Sequence, residues 1–409
     1  MKTLKDIIGE KGFFCDGDWI EKKDQDPNGE IRLIQLADIG DGEFKDKSSK
    51  FITKSTAERL GCTPVQKGDI LIARLPDPLG RACIFPLSGQ YITAVDVAIL
   101  HINNPDIDTT YVMHMINSHM FRKQIAKYQS GTTRKRISRK NLEKIQFDIP
   151  TFDEQQRIVS RIEELFSELD KGVETLQAIK LQLKIYRQAV LKEAFDNAQT
   201  ICKGFTSIEE ILVTDRKGMA TGPFGTLIKK HEYKTDGVPM LGIENIGAGK
   251  FIDGNKIFVT PEKAAELKAF ELKTGDIIIS RSGTVGELCA IPARMEGALL
   301  STNLMRISLN HKVVSPEYFV YLFQSKGVVL DQVKELCKGS TRIFLNQTIL
   351  RKIQFPIPQL NEQLRIINII ESRLSVCDSI EQTVDNALIQ ADAIRQSILK
   401  KAFEGGFSE

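Results

Sequence analysis

The sequence predicts an α/β (α+β) protein with an internal pseudo-twofold repeat: two globular domains separated by two long antiparallel coiled-coil helices. Three observations carry this. The 409-residue chain states one pattern twice. Each copy closes on an extended apolar stripe with helical spacing. Each copy opens with short β-like runs punctuated by glycine and proline.

The repeat comes first because it sets the frame. Lys144-Ile145-Gln146-Phe147-Asp148-Ile149-Pro150 returns 208 residues later as Lys352-Ile353-Gln354-Phe355-Pro356-Ile357-Pro358. Glu154-Gln155-Gln156-Arg157-Ile158 returns as Glu362-Gln363-Leu364-Arg365-Ile366, and Leu191-Lys192-Glu193-Ala194-Phe195 as Leu399-Lys400-Lys401-Ala402-Phe403. Upstream the echo is patchier and the offset is 207: Gly68–Arg74 against Gly275–Arg281, and Gly131-Thr132-Thr133-Arg134 against Gly339-Ser340-Thr341-Arg342 at 208. A period this long is a duplicated half-molecule, not a solenoid of short units. The order is A–B–A′–B′, with residues 1–150, 151–198, 199–358 and 359–409 as its parts. The B parts are nearly alike; the A parts share a scaffold and differ in their loops. One reading gives B a shared task and each A its own version of another. Unequal drift after duplication is the alternative.

The totals narrow the class. Apolar content of 42% and charged content of 27% fit a globular protein long enough for two or three cores. No run of about 18 apolar residues is present, which argues against a membrane span. Lys5, Asp6 and Glu10 interrupt any signal-peptide pattern. Seven scattered cysteines without a CxxC suggest reduced thiols, hence a cytoplasmic protein. A net charge of +3 means that a nucleic-acid binder must concentrate its cations on particular faces.

The first B part opens at Thr151-Phe152-Asp153-Glu154, just after Pro150. Apolar residues then fall at Ile158, Ile162, Leu165, Leu169, Val173, Leu176, Ile179, Leu183, Tyr186 and Val190. Steps of three and four predict one helix with a continuous stripe. The second copy keeps the register with Ile366, Ile370, Leu374, Cys377, Val384, Ile394 and Ile398. Some 40 residues make a rod of about 60 Å. Such rods bury their stripes on each other as an antiparallel pair, or each packs on its own domain. Gly172, Gln182 and Ala391 suggest an imperfect seam shared with a third partner.

In the A parts, strands are expected at Ile31–Leu36, Asp69–Ala73, Ile92–Ile102, Asp276–Ser280 and Leu304–Leu309. Helices are expected at Tyr111–Tyr128 and Pro316–Leu336. Cations cluster before the shared Ile-Pro: Arg134, Lys135, Arg136, Arg139, Lys140 and Lys144 against one acid, Glu143. Glycine and hydroxyl residues lie beside them. That mixture suits a phosphate backbone, because the charges attract and the hydroxyls and amides orient; a solvated loop is the bland alternative. The second copy keeps Lys338, Ser340, Thr341, Arg342 and Arg351. Arg74 and Arg281 each follow an apolar strand and enter a Gly/Pro loop. There an arginine reaches a base edge or a phosphate, or it anchors the loop through a buried ion pair. Lys229, Lys230 and His231 form a patch in the second A part alone.

Several chemistries lack their motifs. There is no Gly-rich phosphate loop ending in Gly-Lys-Ser/Thr, and no GxGxxG after a strand. Asn103-Asn104-Pro105-Asp106 lacks the second proline and the aromatic that amino-methyltransferases use. The five histidines show no metal spacing with the cysteines. No nuclease carboxylate cluster can be assembled. Neither a catalytic constellation nor a cofactor is expected.

Taken in order and duplicated, the Gly-Thr-Thr-Arg and Gly-Ser-Thr-Arg elements, the Ile-Pro, the Glu-Gln-x-x-Arg-Ile helix start and the Leu-Lys-x-Ala-Phe helix end resemble the specificity subunit of type I restriction-modification enzymes. The resemblance covers nearly the whole chain. It implies a non-catalytic subunit with two target recognition domains, each reading one half of a bipartite site on double-stranded DNA. It implies conserved helices that set the spacer and dock two methyltransferase subunits carrying S-adenosylmethionine. Motor-nuclease subunits complete such a complex. A subunit serving a fused methyltransferase-nuclease, an enzyme in its own right, and a protein-only coiled-coil scaffold are the other readings. The candidate DNA-binding residues are Arg74, Arg134, Lys135, Arg136, Arg139, Lys140, Lys229, Lys230, Arg281 and Arg342.

Overall fold

A computed structural model describes residues 1–76, 78–202, 204–247, 249–281, 287–336 and 345–405. The chain divides into two compact units, residues 1–177 with 385–409, and residues 178–384. Both boundaries fall inside the long helices, so each unit holds a part of both.

In the first unit the strands are β1 (Phe13–Asp16), β2 (Ile31–Ile34), β3 (Lys50–Ile52), β4 (Ile70–Ala73), β5 (Ala82–Ile84), β6 (Tyr91–Thr93) and β7 (Val97–His101). The helices are α1 (Lys54–Leu60), α2 (Thr109–Asn117), α3 (His119–Tyr128) and α4 (Arg139–Leu142), followed by the start of α5 (Phe152–Ile201). An antiparallel sheet runs β1-β7-β4-β5, and a smaller one runs β3-β2-β6 with β2 and β6 parallel. Strand β4 is buried on both faces, so it reads as a continuous apolar run. Ile70 and Ile72 pack with Val112, Ile116 and Phe121 of the helices, while Leu71 and Ala73 pack with Phe85 and Val97 behind.

The second unit repeats this plan. Its strands are β8 (Thr206–Ser207), β9 (Met219–Thr221), β10 (Val238–Leu241), β11 (Phe258–Val259), β12 (Ile277–Ser280), β13 (Leu288–Ala290), β14 (Leu299–Leu300), β15 (Leu304–Ile307) and β16 (Gln354–Phe355). Its helices are α6 (Ile208–Ile211), α7 (Pro261–Glu266), α8 (Pro316–Gln324), α9 (Val329–Leu336) and α10 (Gln347–Leu350), before α11 (Leu360–Lys400) begins. The sheet β13-β12-β15-β9 matches β5-β4-β7-β1, and β11-β10-β14 matches β3-β2-β6.

Three expected elements are corrected. Ile92–Ile102 is two strands in two sheets, because residues 94–96 turn the chain between β6 and β7. Tyr111–Tyr128 breaks at Ser118, whose backbone is extended and whose hydroxyl caps α3 by accepting from Phe121 N. Pro316–Leu336 breaks between Gln324 and Val329, where Gly327 takes a φ of 96°.

Within each unit the two long helices run antiparallel. In the first, Ile162 packs with Ile398 and Leu399, and Arg395 pairs with Asp170. In the second, Arg187 pairs with Asp378 and Glu381, and Arg373 with Glu193 at 2.7 Å. The apolar stripe needs small corrections. Tyr186 is 48% and Ile394 49% exposed, off the seam, while Ala391 is buried on it.

The motifs that recur in sequence fix each helix pair to its domain. Gln155 and Gln363 are fully buried one turn into α5 and α11. Gln155 donates to Asp106 O and Pro150 O, each at 3.0 Å, and accepts from Asp108 N at 2.9 Å. Gln363 donates to Val313 O and Pro358 O, each at 2.8 Å, and accepts from Ser315 N at 2.9 Å. Asp108 and Ser315 are the N-cap residues of α2 and α8. The helix ends are held by aromatic packing: Phe403 meets Tyr111 edge-on at 5.2 Å, and Phe195 meets Tyr318 at 5.4 Å.

Leucine at either glutamine strands two carbonyls and an amide in the interior. Each such loss costs about 1–3 kcal/mol, so Gln155→Leu and Gln363→Leu should each lower stability by about 3 kcal/mol. Urea unfolding of the full chain checks this; a change under about 0.5 kcal/mol, typical of surface substitutions, would contradict the clamp.

Candidate nucleic-acid interface

The sheet of the first unit brings three connections to one end. The C-termini of β1 and β4 and the N-terminus of β7 meet there, because Asp16 pairs with Ala98 and Ala73 with Val97. Arg74 ties them together from inside. It is 7% exposed, pairs with Asp16, and donates to Ile137 O and Val95 O, each at 3.1 Å. Its position is that of a loop anchor, the ion-pair alternative for this residue, and burial takes it away from a nucleic-acid surface.

What Arg74 anchors is the basic loop. Ser130 and Arg136 exchange two backbone hydrogen bonds of 2.9 Å, which pinch residues 131–135 into a projecting turn. Gly131 opens it with a φ of 94°, a conformation that disfavours side chains. Arg134, Lys135, Arg136, Lys140 and Lys144 are exposed. Arg136 leans on Asp96 at 3.4 Å. Arg139 is half-buried, shared by Glu143 and Asp16, with its guanidinium 6.0 Å from the Phe14 ring. Thus Arg134, Lys135 and Lys140 face solvent most openly, while Arg74 and Arg139 hold the loop.

The second unit keeps the same backbone frame. Arg74 N donates to Asp96 O and Ile137 N to Arg74 O; Arg281 N donates to Asn303 O and Leu345 N to Arg281 O. Burial holds the Arg281 guanidinium below its ordinary range. Lys229 and Lys230 are exposed, on a turn closed by Lys229 N donating to Glu232 at 2.6 Å. Arg342, with Lys338, Ser340 and Thr341, lies outside the described residues.

Three features escaped sequence reasoning. Gln155 and Gln363 were visible only as a repeated motif. Arg81 and Arg306 are buried arginines that donate to main-chain carbonyls: Arg81 to Ile39 O, Leu36 O and Leu75 O, Arg306 to Glu271 O, Lys217 O and Ala269 O. Trp19 and Phe224 are exposed; aligning Gly17 with Gly222 would have paired them. No group of three or more His, Cys, Asp or Glu among the described residues is placed to hold a metal ion. Burial pushes the thiols of Cys83 and Cys289 up to about 12, so both stay protonated at neutral pH.

A family model described as the type I restriction modification DNA specificity domain matches residues 1–181 and 223–390. The type I restriction enzyme EcoKI specificity subunit of Escherichia coli (strain K12) is 27% identical over 402 residues, 92% of this chain and 82% of that protein. The StySPI specificity subunit of Salmonella potsdam is 24% identical over 73% of this chain, which spans 65% of that relative's length. A chain in a structure concerned with complex assembly and conformational transition of the type I R-M system aligns over 97% of this chain and 98% of itself. Its TM-score is 0.68 at 16% identity, a likeness of fold.

The anchoring and exposed arginines should separate in stability. Arg74→Ala leaves the Ile137 and Val95 carbonyls without their donor and should cost about 2–3 kcal/mol. Arg134→Ala should change unfolding by less than about 0.5 kcal/mol. Equal effects in a thermal melt would refute the division of roles.

Proposed function

The chain belongs to the type I restriction-modification DNA specificity family, and on that premise we propose that it is the non-catalytic specificity subunit of such a complex, each unit reading one half of a bipartite DNA site. Residues 1–150 and 199–358 are the two readers. Residues 151–198 and 359–409 form the helices that set the spacer and dock two methyltransferase subunits. Those subunits carry S-adenosylmethionine and the chemistry; motor-nuclease subunits join the full complex. The observation that carries this is one frame built twice with different loops on it. Gln155 and Gln363, Phe403 and Phe195, and the backbone bonds of Arg74 and Arg281 repeat. What the frame carries differs: the exposed Lys135 and Arg136 correspond, 208 residues on, to Ile343 and Phe344.

The helices support docking of two copies of one partner. Leu181 and Tyr186 are 62% and 48% exposed, and the residues 208 further on, Ile389 and Ile394, are 68% and 49% exposed. Apolar side chains exposed at matching places, one pair in each unit, suit two identical contacts.

Exchange of residues 1–150 for those of another family member should change one half of the methylated site and leave the other. A change in both halves would sink the one-unit-one-half reading. Arg134→Ala with Lys135→Ala should weaken DNA binding by the assembled complex. The slope of log K against log salt should fall by about 2, roughly 0.9 for each phosphate no longer neutralised. Leu181→Asp should leave one methyltransferase copy bound rather than two, read by native mass spectrometry.

A further inference from the structure

The strand end that carries the basic loop also carries an apolar projection. Trp19, the chain's single tryptophan, is 71% exposed. Its neighbours are pinned. Asp18 N donates to Thr93 O at 2.9 Å, and Ile20 packs against the cluster of Ile31, Leu33 and Ile52. The indole therefore stands out from a fixed backbone, its Nε1 donating to Glu21 at 3.4 Å.

A lone exposed apolar residue is ordinary on protein surfaces. Recurrence in the second unit makes this one informative. Gly17 N donates to Val97 O at 2.9 Å, and Gly222 N to Leu304 O at 3.0 Å. A Cβ on Gly17 would collide with Ala94 O, and one on Gly222 with Ser301 O. The chain thus leaves β1 and β9 by the same close crossing. Two residues after Gly17 comes Trp19; two after Gly222 comes Phe224, 65% exposed. Leu227 follows at 45% exposure, and Ile228 then returns to the interior.

The surroundings favour one occupant. In the first unit Arg136 joins Asp96 beside β7, and Arg74 holds the basic loop to the same end. In the second, exposed Lys229 and Lys230 follow Ile228 directly. A large apolar side chain at a strand end that also carries basic residues matches duplex DNA, whose phosphates take the charges and whose bases offer thymine methyls and stacked faces.

We propose that Trp19 and Phe224 are apolar DNA-contact residues, each pressed against base pairs of the half-site its unit reads. This rests on the DNA-reading function above. The test uses the full chain assembled with its methyltransferase subunits and a labelled duplex carrying the methylated site, with affinity read by anisotropy. Trp19→Ala should weaken binding about tenfold, comparable to the loss of one matched base pair, and Trp19→Phe should restore most of it. Scrambling the half-site assigned to the first unit should erase the difference between Trp19→Ala and the unaltered chain. Phe224→Ala should behave likewise toward the other half-site. Equal affinity of Trp19→Ala and the unaltered chain overturns this inference and leaves DNA reading intact. Loss of methyltransferase copies from the Trp19→Ala complex overturns it in favour of a protein contact. Absence of DNA binding by the unaltered complex overturns both.

Discussion

The structure depends on how each unit grips its parts of the two long helices. One side chain holds the start of a helix and one ring holds the end of another. In the first unit Gln155 locks the first turn of α5 to the cap of α2, and Phe403 beyond α11 packs on Tyr111 of that same α2. In the second, Gln363 and Phe195 do the same with α8. A buried amide can hold a helix start in one orientation because its donors and acceptor each face a main-chain partner, and the cost of leaving any unmet is high. An apolar contact alone would tolerate sliding. The glutamine fixes direction; the phenylalanine supplies burial.

That constraint explains which parts of the duplicated sequence stayed alike. Residues that hold domain to helix cannot change without leaving a buried polar group unmet. Loops beyond the strand ends carry no such obligation. Lys135 and Arg136 are exposed on a loop held from beneath by Arg74, so such side chains can vary while the frame stays. In the second unit the same backbone frame recurs around Arg281, while the sequence has Ile343 and Phe344 in place of Lys135 and Arg136. A reader built this way can change its sequence preference without refolding.

Most of the architecture was legible in the sequence. The long helices announced themselves because their stripe follows the helical period for many turns. Central strands such as Ile70–Ala73 and Ile277–Ser280 were visible as short apolar runs. Errors arose where one residue decides. Ser118 stops a helix whose flanks are both helical, and residues 94–96 turn a run that reads as one strand. The site was less legible. Arg74 and Arg134 are both arginines in Gly-containing neighbourhoods, and only burial separates an anchor from an exposed cation. Tyr186 and Ile394 fit the stripe by spacing yet lie outside the seam, because a stripe says nothing about how wide the buried face is. Trp19 gave no periodic signal at all.

The central claim is that two copies of one clamp present two different readers to DNA. It is tested most directly by mapping adenine methylation, by single-molecule sequencing, in DNA from cells that make this chain with its cognate methyltransferase subunit. The account predicts a split motif, two short half-sites of different sequence at a fixed separation. A single uninterrupted motif, or no methylation despite a stable complex, would contradict it.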